Sequence, residues 1–227
     1  MNYPIRINKY LRDLGLASRR EADKLVEAGF VLVNGKPASP GTIINENDKV
    51  VVKKGHEKKL IYLAYYKPRG LSTQDENYDT SVIGEWAEKG LFPIGRLDKE
   101  SEGLLILTND GRLTSKITDP ESRLEKEYIV RVKEKIREGI PAILEKGMDT
   151  KAFGRLLPAR AKIIDDHSIY ITLVEGKRHQ IRVMLAELEL TVSGLKRIRI
   201  GHIKLGNLKP GQNRELTEKE IEIFFNK

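Results

Sequence analysis

No uninterrupted aliphatic run in this chain is longer than the four residues from Leu104 to Leu107. A helix that crosses a membrane needs ~20 consecutive apolar residues, so no membrane span is expected. The apolar residues recur instead in short periodic stretches, which argues against wholesale disorder. At 227 residues the chain is long enough for one large domain, or for a small one followed by a medium one, each with a real core. The start, Met-Asn-Tyr-Pro-Ile-Arg, has no apolar signal region, so secretion is not indicated. The absence of Cys excludes disulfide scaffolds, thiolate zinc sites and cysteine nucleophiles, and suits a reducing compartment. A soluble cytoplasmic protein is the expectation.

Charge divides the chain unevenly. Residues 1 to 59 carry 12 Lys and Arg against 7 Asp and Glu, whereas the remaining 168 residues carry 29 against 26. A basic head on a nearly balanced body suggests a polyanion-binding module joined to something else. The plainer reading is a lysine-rich solubilising surface, and charge alone does not separate the two.

The head has a legible local structure. Ile7, Tyr10, Leu11 and Leu14 follow the spacing of one helix face, and Gly15 then stops the helix. Ser18 with Glu21 forms a capping box that opens a second helix, with Ala22, Leu25 and Val26 inward and Gly29 as its end. Val31 and Val33 alternate as a strand, Asn34-Gly35 signals a hairpin, and Val50 to Val52 form another extended run. Two helices joined by a tight turn could make a DNA-binding helix-turn-helix, but the hairpin after them argues against it. The stretch INKYLRDLGLASRREADKLVEAGFVLVNGKPA resembles the small RNA-binding domain of one small-subunit ribosomal protein, the alpha-L motif, over about residues 4 to 53. That resemblance implies RNA binding through Arg19, Arg20 and Lys24, which share the exposed side of the second helix.

The polar stretch Lys53 to Lys59 reads as a linker, which gives domains at 1–54 and 60–227 joined by 55–59. The larger domain mixes candidate strands at 61–66, 104–108, 127–132 and 169–174 with helices over Arg178 to Leu188 and, behind a Thr217/Glu220 cap, near the end. There is no glycine-rich dinucleotide fingerprint, no phosphate-binding loop and no regular βαβ alternation. The class is α+β, a mainly antiparallel sheet flanked by helices.

One segment concentrates charge between apolar anchors. In FPIGRLDKESEGLLILTNDG, residues 92 to 111, two strand-like pieces flank a loop that carries Arg96, Asp98, Lys99, Glu100 and Glu102 and closes at Gly103. A charged loop pinned at both ends is where folds display catalytic groups. A calcium loop is excluded, because the bidentate Glu of that pattern would fall on Asn109 and its ligand positions on Leu-Leu-Ile-Leu. A glycosidase-like carboxylate pair is permitted by the spacing. So is a charged connection with no chemistry at all.

The loop GRLDKESEGLLILTNDG resembles the catalytic loop of the pseudouridine synthases of ribosomal RNA, in the group that contains RsuA, RluB, RluE and RluF. Further likenesses come in the family's order: KPRG at 67–70, EKEYIV at 125–130, GKRHQIRVML at 176–185 and LKRIRIGHIKL at 195–205. The resemblance implies an isomerase that breaks a uridine's glycosidic bond, turns the uracil and rejoins it through a ring carbon. It makes Asp98 the catalytic carboxylate, as nucleophile toward sugar or base or as a base that removes a sugar proton. It makes Tyr128 the residue that stacks on the extruded uracil and Arg182 the cation paired with Asp98. Arg96 would contact a phosphate or fill the gap left by the flipped base. Arg178, with the basic run at 196–214 represented by Lys196, Arg197 and Arg199, would track phosphates.

The same likeness implies no metal or organic cofactor, and the four His show no metal-binding spacing. It implies ribosomal RNA as partner, with transfer RNA a further substrate of some members and the large subunit slightly favoured, and a monomer. Three positions depart from the family's habit: Ser101 for Thr, Val183 for a second basic residue and Glu189 for Gly. The rival readings are a non-catalytic RNA-binding assembly factor on the same scaffold, and a carboxylate-dependent hydrolase that cleaves without rejoining.

Overall fold

The first unit, Met1–Ile61 with Asn109–Ser115, is built from helices whose ends the sequence marks. It contains β1 (Ile5–Arg6), α1 (Ile7–Asp13), α2 (Arg19–Glu27), β2 (Val31–Val33), β3 (Lys36–Pro37), β4 (Ile43–Ile44) and β5 (Val50–Val52). The capping box forms as expected: the Ser18 hydroxyl accepts from Glu21 N at 3.3 Å, and a Glu21 carboxylate oxygen accepts from Ser18 N at 3.0 Å. Ile7 and Leu11 of α1 and Ala22 and Val26 of α2 meet in one core with Ile5, Val31 and Ile44. Leu14, expected on the inward face of the first helix, is exposed instead, because α1 stops at Asp13 and the chain turns through Gly15 at φ +69°. Asn34 and Gly35 both take left-handed φ values, 52° and 80°, as a two-residue hairpin turn requires. β2 pairs there with β3 and, on its other edge, with β5.

The computed structural model describes residues 1–53, 59–74 and 81–225. Residues 55–58 of the expected linker, with His56, therefore lie outside the described residues.

The second unit is Tyr62–Thr108 with Lys116–Lys227. Its elements begin with β6 (Tyr62–Lys67), α3 (Val82–Ala87), β7 (Phe92–Ile94), β8 (Glu102–Thr108), α4 (Arg112–Thr118, which starts in the first unit) and β9 (Lys126–Val132). They continue with α5 (Ile140–Glu145), β10 (Asp149–Thr150), β11 (Gly154–Arg155), β12 (Arg160–Asp165) and β13 (Ser168–Leu173). The last are α6 (Gln180–Glu187), β14 (Val192–Ile200), β15 (Ile203–Lys204), β16 (Asn213–Glu215) and α7 (Glu218–Phe225). A nine-stranded sheet in the order β12-β13-β9-β14-β8-β6-β16 carries β15 on β14 and β7 on β8. Every pairing in it is antiparallel except β14 with β8. The fold is therefore α+β with a mainly antiparallel sheet, as the sequence pattern implies.

The aliphatic run Leu104–Leu107 is buried at every position because β8 is an interior strand, flanked by β6, β7 and β14. The basic stretch that begins at residue 196, expected to track phosphates, starts in an interior strand too: β14 lies between β9 and β8. Behind β9 and β13, Val130, Ile169 and Ile171 pack with Ile140 and Leu144 of α5 and with Met184 and Leu185 of α6 in one apolar cluster.

Two backbone conformations fix where β8 and α6 begin. Gly103, at φ +108°, starts β8 against β14 so closely that a Cβ there would lie 2.3 Å from the carbonyl oxygen of Arg197. The helix expected from Arg178 begins only at Gln180, because His179 adopts a left-handed φ of 58° that interrupts helical geometry. The side chain of Gln180 braces that turn, accepting from Lys177 N at 3.0 Å and donating to Glu175 at 2.7 Å.

After α6 the chain leaves through Glu189 at φ 63°, a conformation that favours glycine and that a Glu occupies here under strain. Its carboxylate sits 3.6 Å from Arg137 with both side chains exposed, an ion pair of small value. Glu189→Gly is accordingly expected to stabilise the protein by about 1 kcal/mol. A higher urea midpoint would bear this out; an unchanged or lower one would contradict the strain.

Candidate active site

The loop from Gly95 to Ser101 is fixed mainly by bonds to its backbone. Thr73 is buried, and its hydroxyl donates to Leu97 O at 2.6 Å while accepting from Leu97 N at 3.0 Å. Arg197 donates from Nε to Leu104 O at 2.8 Å and from Nη1 to Arg96 O at 3.3 Å. Gly70 N donates to Lys99 O at 2.8 Å, and Arg69 reaches both Glu100 and Ser193 O at 3.2 Å. The KPRG segment and the loop thus hold each other in place.

Asp98 projects from this frame with 32% of its side chain exposed. Its carboxylate Oδ1 lies 3.2 Å from Nε2 of His179, the residue in the left-handed turn before α6. The pairing expected from Arg182 is not formed among the described residues. The Arg182 guanidinium instead makes long contacts of 3.4 to 3.5 Å with Glu100 O, Ser101 Oγ and Val192 O. The left-handed turn at His179 starts α6 two residues later than expected and brings the imidazole, not the guanidinium, onto Asp98. Arg182 still borders the outer cleft of about 580 Å³ that Asp98 shares with Arg96, Arg178 and Gln74.

On its other side Asp98 opens into an inner cleft of about 490 Å³. Tyr128 is 9% exposed and stands in its wall, sharing the buried face of β9 with Val130 and Val132 as its alternation predicts. Leu173, Ile181 and Leu195 supply apolar surface there, and Lys126 and Arg197 supply cations. The lining also carries Arg96, Lys177, Arg178 and Gln180, and an aromatic and aliphatic wall beside polar and cationic groups suits a flat, partly polar ring such as an extruded base together with its phosphate. Among the described residues no group of three or more His, Asp or Glu is placed to hold a metal ion.

Two lysines near this site escape sequence reasoning. Lys67 is wholly buried at the end of β6, and its ammonium donates to Leu71 O at 2.6 Å and Pro68 O at 2.9 Å. Burial pushes it down to about 8, while the carboxylates of Asp98 and Glu102 pull against that fall. Lys126 is lowered as well, chiefly by burial and then by the Arg197 guanidinium. Tyr66 donates to Glu102 at 2.7 Å, and burial together with that carboxylate raises its phenol. Lys67 opens the KPRG likeness and ends a strand otherwise made of apolar and aromatic residues, Tyr62 to Tyr66, but neither signal shows that it is buried.

The expected RNA contacts divide into two groups. Arg19, Arg20, Lys24, Arg178 and Arg96 are exposed. On β14 the expectation fails for Arg197, which is only 4% exposed and turned into the sheet. Arg199 is engaged by Glu127 at 2.7 Å, Glu125 at 3.1 Å and Gly201 O at 2.7 Å. Lys196 rests over the ring of Tyr66 at 5.2 Å. An interior strand buries alternate side chains, so three of the basic residues in this run serve the sheet and its cleft.

The lysine shift gives a test with a definite sign. Lys67 loses its proton at about 8 in the folded protein and at its ordinary 10.5 in the unfolded chain. Between those values the unfolded state holds more protons, so raising the pH favours the folded state. Wild-type stability, relative to Lys67→Met, is therefore expected to climb from pH 8 to pH 10 in urea titrations. A flat or falling difference would contradict the burial of a lysine ammonium there.

Residues 61–187 match the sequence pattern of the RNA pseudouridylate synthase family, and residues 5–50 match the S4 domain. The chain is 36% identical to the dual-specificity RNA pseudouridine synthase RluF of Escherichia coli (strain K12), over 97% of its own length and 78% of that protein's. It is 34% identical to the RNA pseudouridine synthase YtzG of Bacillus subtilis (strain 168), covering 97% of this chain and 98% of that one. A solved structure described as a pseudouridylate synthase superposes with a TM-score of 0.72 at 29% identity, covering 97% of this chain and 99% of the other. With an S4 match at residues 5–50, a synthase match at 61–187 and a cleft lined by both Asp98 and Tyr128, this chain belongs to the RNA pseudouridine synthase family.

Proposed function

We propose that the protein isomerises a specific uridine of ribosomal RNA to pseudouridine, with Asp98 as the carboxylate that acts on the flipped nucleotide. The observation that carries this reading is the shared cleft: Asp98 and the largely buried Tyr128 both line it, with Leu173, Ile181 and Leu195 as its apolar surface. The reaction conserves every atom. The N1–C1′ bond breaks, the uracil turns, a C5–C1′ bond forms, and the hydrogen at C5 is lost as N1 gains one.

Each group has a task in that sequence. Asp98 works as its carboxylate, whether toward the sugar, toward the base or as the acceptor of a sugar proton. His179, 3.2 Å away, holds the carboxylate's orientation. Tyr128 offers a ring face to the uracil and a hydroxyl for proton transfer at the ring carbon. Arg96, Arg178 and Arg182, on the outer cleft, meet the RNA backbone around the flipped nucleotide. Arg19, Arg20 and Lys24, exposed on α2, hold a structured RNA through its phosphates. Base extrusion costs a few kcal/mol and is easiest at a loop or bulge, which favours such a target. RluF is named as a dual-specificity enzyme; for this chain ribosomal RNA is the main substrate, transfer RNA is a second one to assay, and a cytoplasmic monomer is the working form.

The test is pseudouridine mapping by carbodiimide labelling and primer extension on ribosomal and transfer RNA. A discrete new stop is expected with the wild-type protein, and its rate of formation is expected to fall by about 1,000-fold or more with Asp98→Asn. An Asp98→Asn protein as active as wild type would overturn the assignment, and tight binding with no stop on any RNA would favour a non-catalytic assembly factor.

A further inference from the structure

The buried guanidinium of Arg197 is only partly accounted for by the protein itself. Its Nε and Nη1 donate to Leu104 O and Arg96 O, but Nη2 is buried without a hydrogen-bond partner among the described residues. A buried, unpaired donor on a charged group is costly and uncommon in folded proteins. Arg197 is 96% buried in the wall of the inner cleft, and in the sheet register it lies directly opposite Tyr128. Cross-strand neighbours of this kind stand about 5 Å apart at Cβ, so a ring stacked on Tyr128 comes within reach of the guanidinium. Lys126, two residues along β9, faces the same cleft and already donates to Leu124 O at 3.2 Å.

We infer that Arg197 is a further substrate-contacting residue, whose Nη2 donates to a carbonyl oxygen of the extruded uracil. This rests on reading the cleft as the uridine site. Around Arg197 itself the lining suits a base: Tyr128 lies opposite it in the sheet and Leu195 two residues before it on the same strand, and both fit the faces of a flat ring. The contact also has a chemical consequence. When the N1–C1′ bond breaks, the electron pair stays with the uracil, and negative charge spreads onto its carbonyl oxygens. A guanidinium already fixed by two backbone carbonyls meets that charge without reorganising, which is how electrostatic catalysis operates. The same two bonds tie the contact to the loop of Asp98, because one of them is to Arg96 O. Arginine suits the position because its planar fork holds two carbonyls on separate nitrogens and presents a third in a fixed direction, whereas an ammonium carries all its donors on one atom.

The test pairs the protein with altered RNA. Short hairpins carrying the mapped target as uridine, 2-thiouridine or 4-thiouridine are compared in single-turnover assays, read by nuclease digestion and chromatography. Sulfur is a poor acceptor, so the wild-type protein is expected to slow by about 10-fold or more on one of the two thio substrates. Arg197→Met is expected to be slow on uridine and to show no further loss on that substrate, because the contact is already gone. Arg197→Lys keeps the buried charge and is the second variant; it is expected to melt as a folded protein and also to lose the discrimination. Wild-type rates that are equal on all three hairpins would overturn the inference while leaving the isomerase intact, and so would a variant that keeps the full thio effect. A wild-type protein that forms no pseudouridine from unmodified RNA would remove the reading of the cleft, and this inference with it.

Discussion

The close approach of β8 to β14 at Gly103 is the constraint on which the rest of the second unit depends. It is the one parallel pairing in a sheet otherwise antiparallel, and it leaves no room for a side chain: a Cβ on Gly103 would stand 2.3 Å from Arg197 O and 2.8 Å from Arg197 N. Because β8 comes so near, Arg197 can reach across to Leu104 O and Arg96 O, and the loop that ends at Gly103 is drawn against the sheet. β14 also pairs with β9, so the same residue faces Tyr128. One glycine thereby brings together a loop from residues 95 to 101 and strands that begin only at Lys126 and Val192.

The site that results balances charges in a half-dry space. Lys67, Lys126 and Arg197 are set against Asp98, Glu100 and Glu102, and the buried lysines are held below their usual range by loss of solvent. Asp98 keeps partial access to water and an imidazole neighbour. The carboxylate thus stays open to a substrate that enters from outside. Leu173, Ile181 and Leu195 give the cleft shared with Tyr128 its apolar surface, and Arg96, Arg178 and Arg182 border the other cleft that Asp98 lines.

Much of this was legible in the sequence wherever a local rule operates. The capping boxes at Ser18 and Thr217, the Asn34-Gly35 turn and the strands around Leu105, Tyr128 and Ile171 all arise from propensity and periodicity. What was not legible depends on which strand neighbours which. A run of six Lys and Arg between residues 196 and 214 reads as a track for phosphates until β14 is known to be an interior strand, and only then is Arg197 seen to point inward. The exchange of His179 for Arg182 beside Asp98 turns on a single left-handed residue, for which a histidine gives no sequence signal. Glu189 shows the converse: its departure from the family's glycine was visible, while the strained conformation it accepts was not. Lys67 lay in a recognised motif, yet its complete burial comes from the packing of β6 between β8 and β16.

The central claim is that Asp98 drives an isomerisation in which the uracil is rejoined to its own ribose through C5. Tritium at that carbon reports the event directly, because forming the C5–C1′ bond displaces the hydrogen that C5 carried. Ribosomal RNA transcribed with [5-³H]uridine is predicted to release tritium to water in proportion to the RNA added when wild-type protein is present, and to release none above background with Asp98→Asn. Free labelled uracil in place of tritiated water would instead reveal a hydrolase that cleaves without rejoining, and would contradict the account.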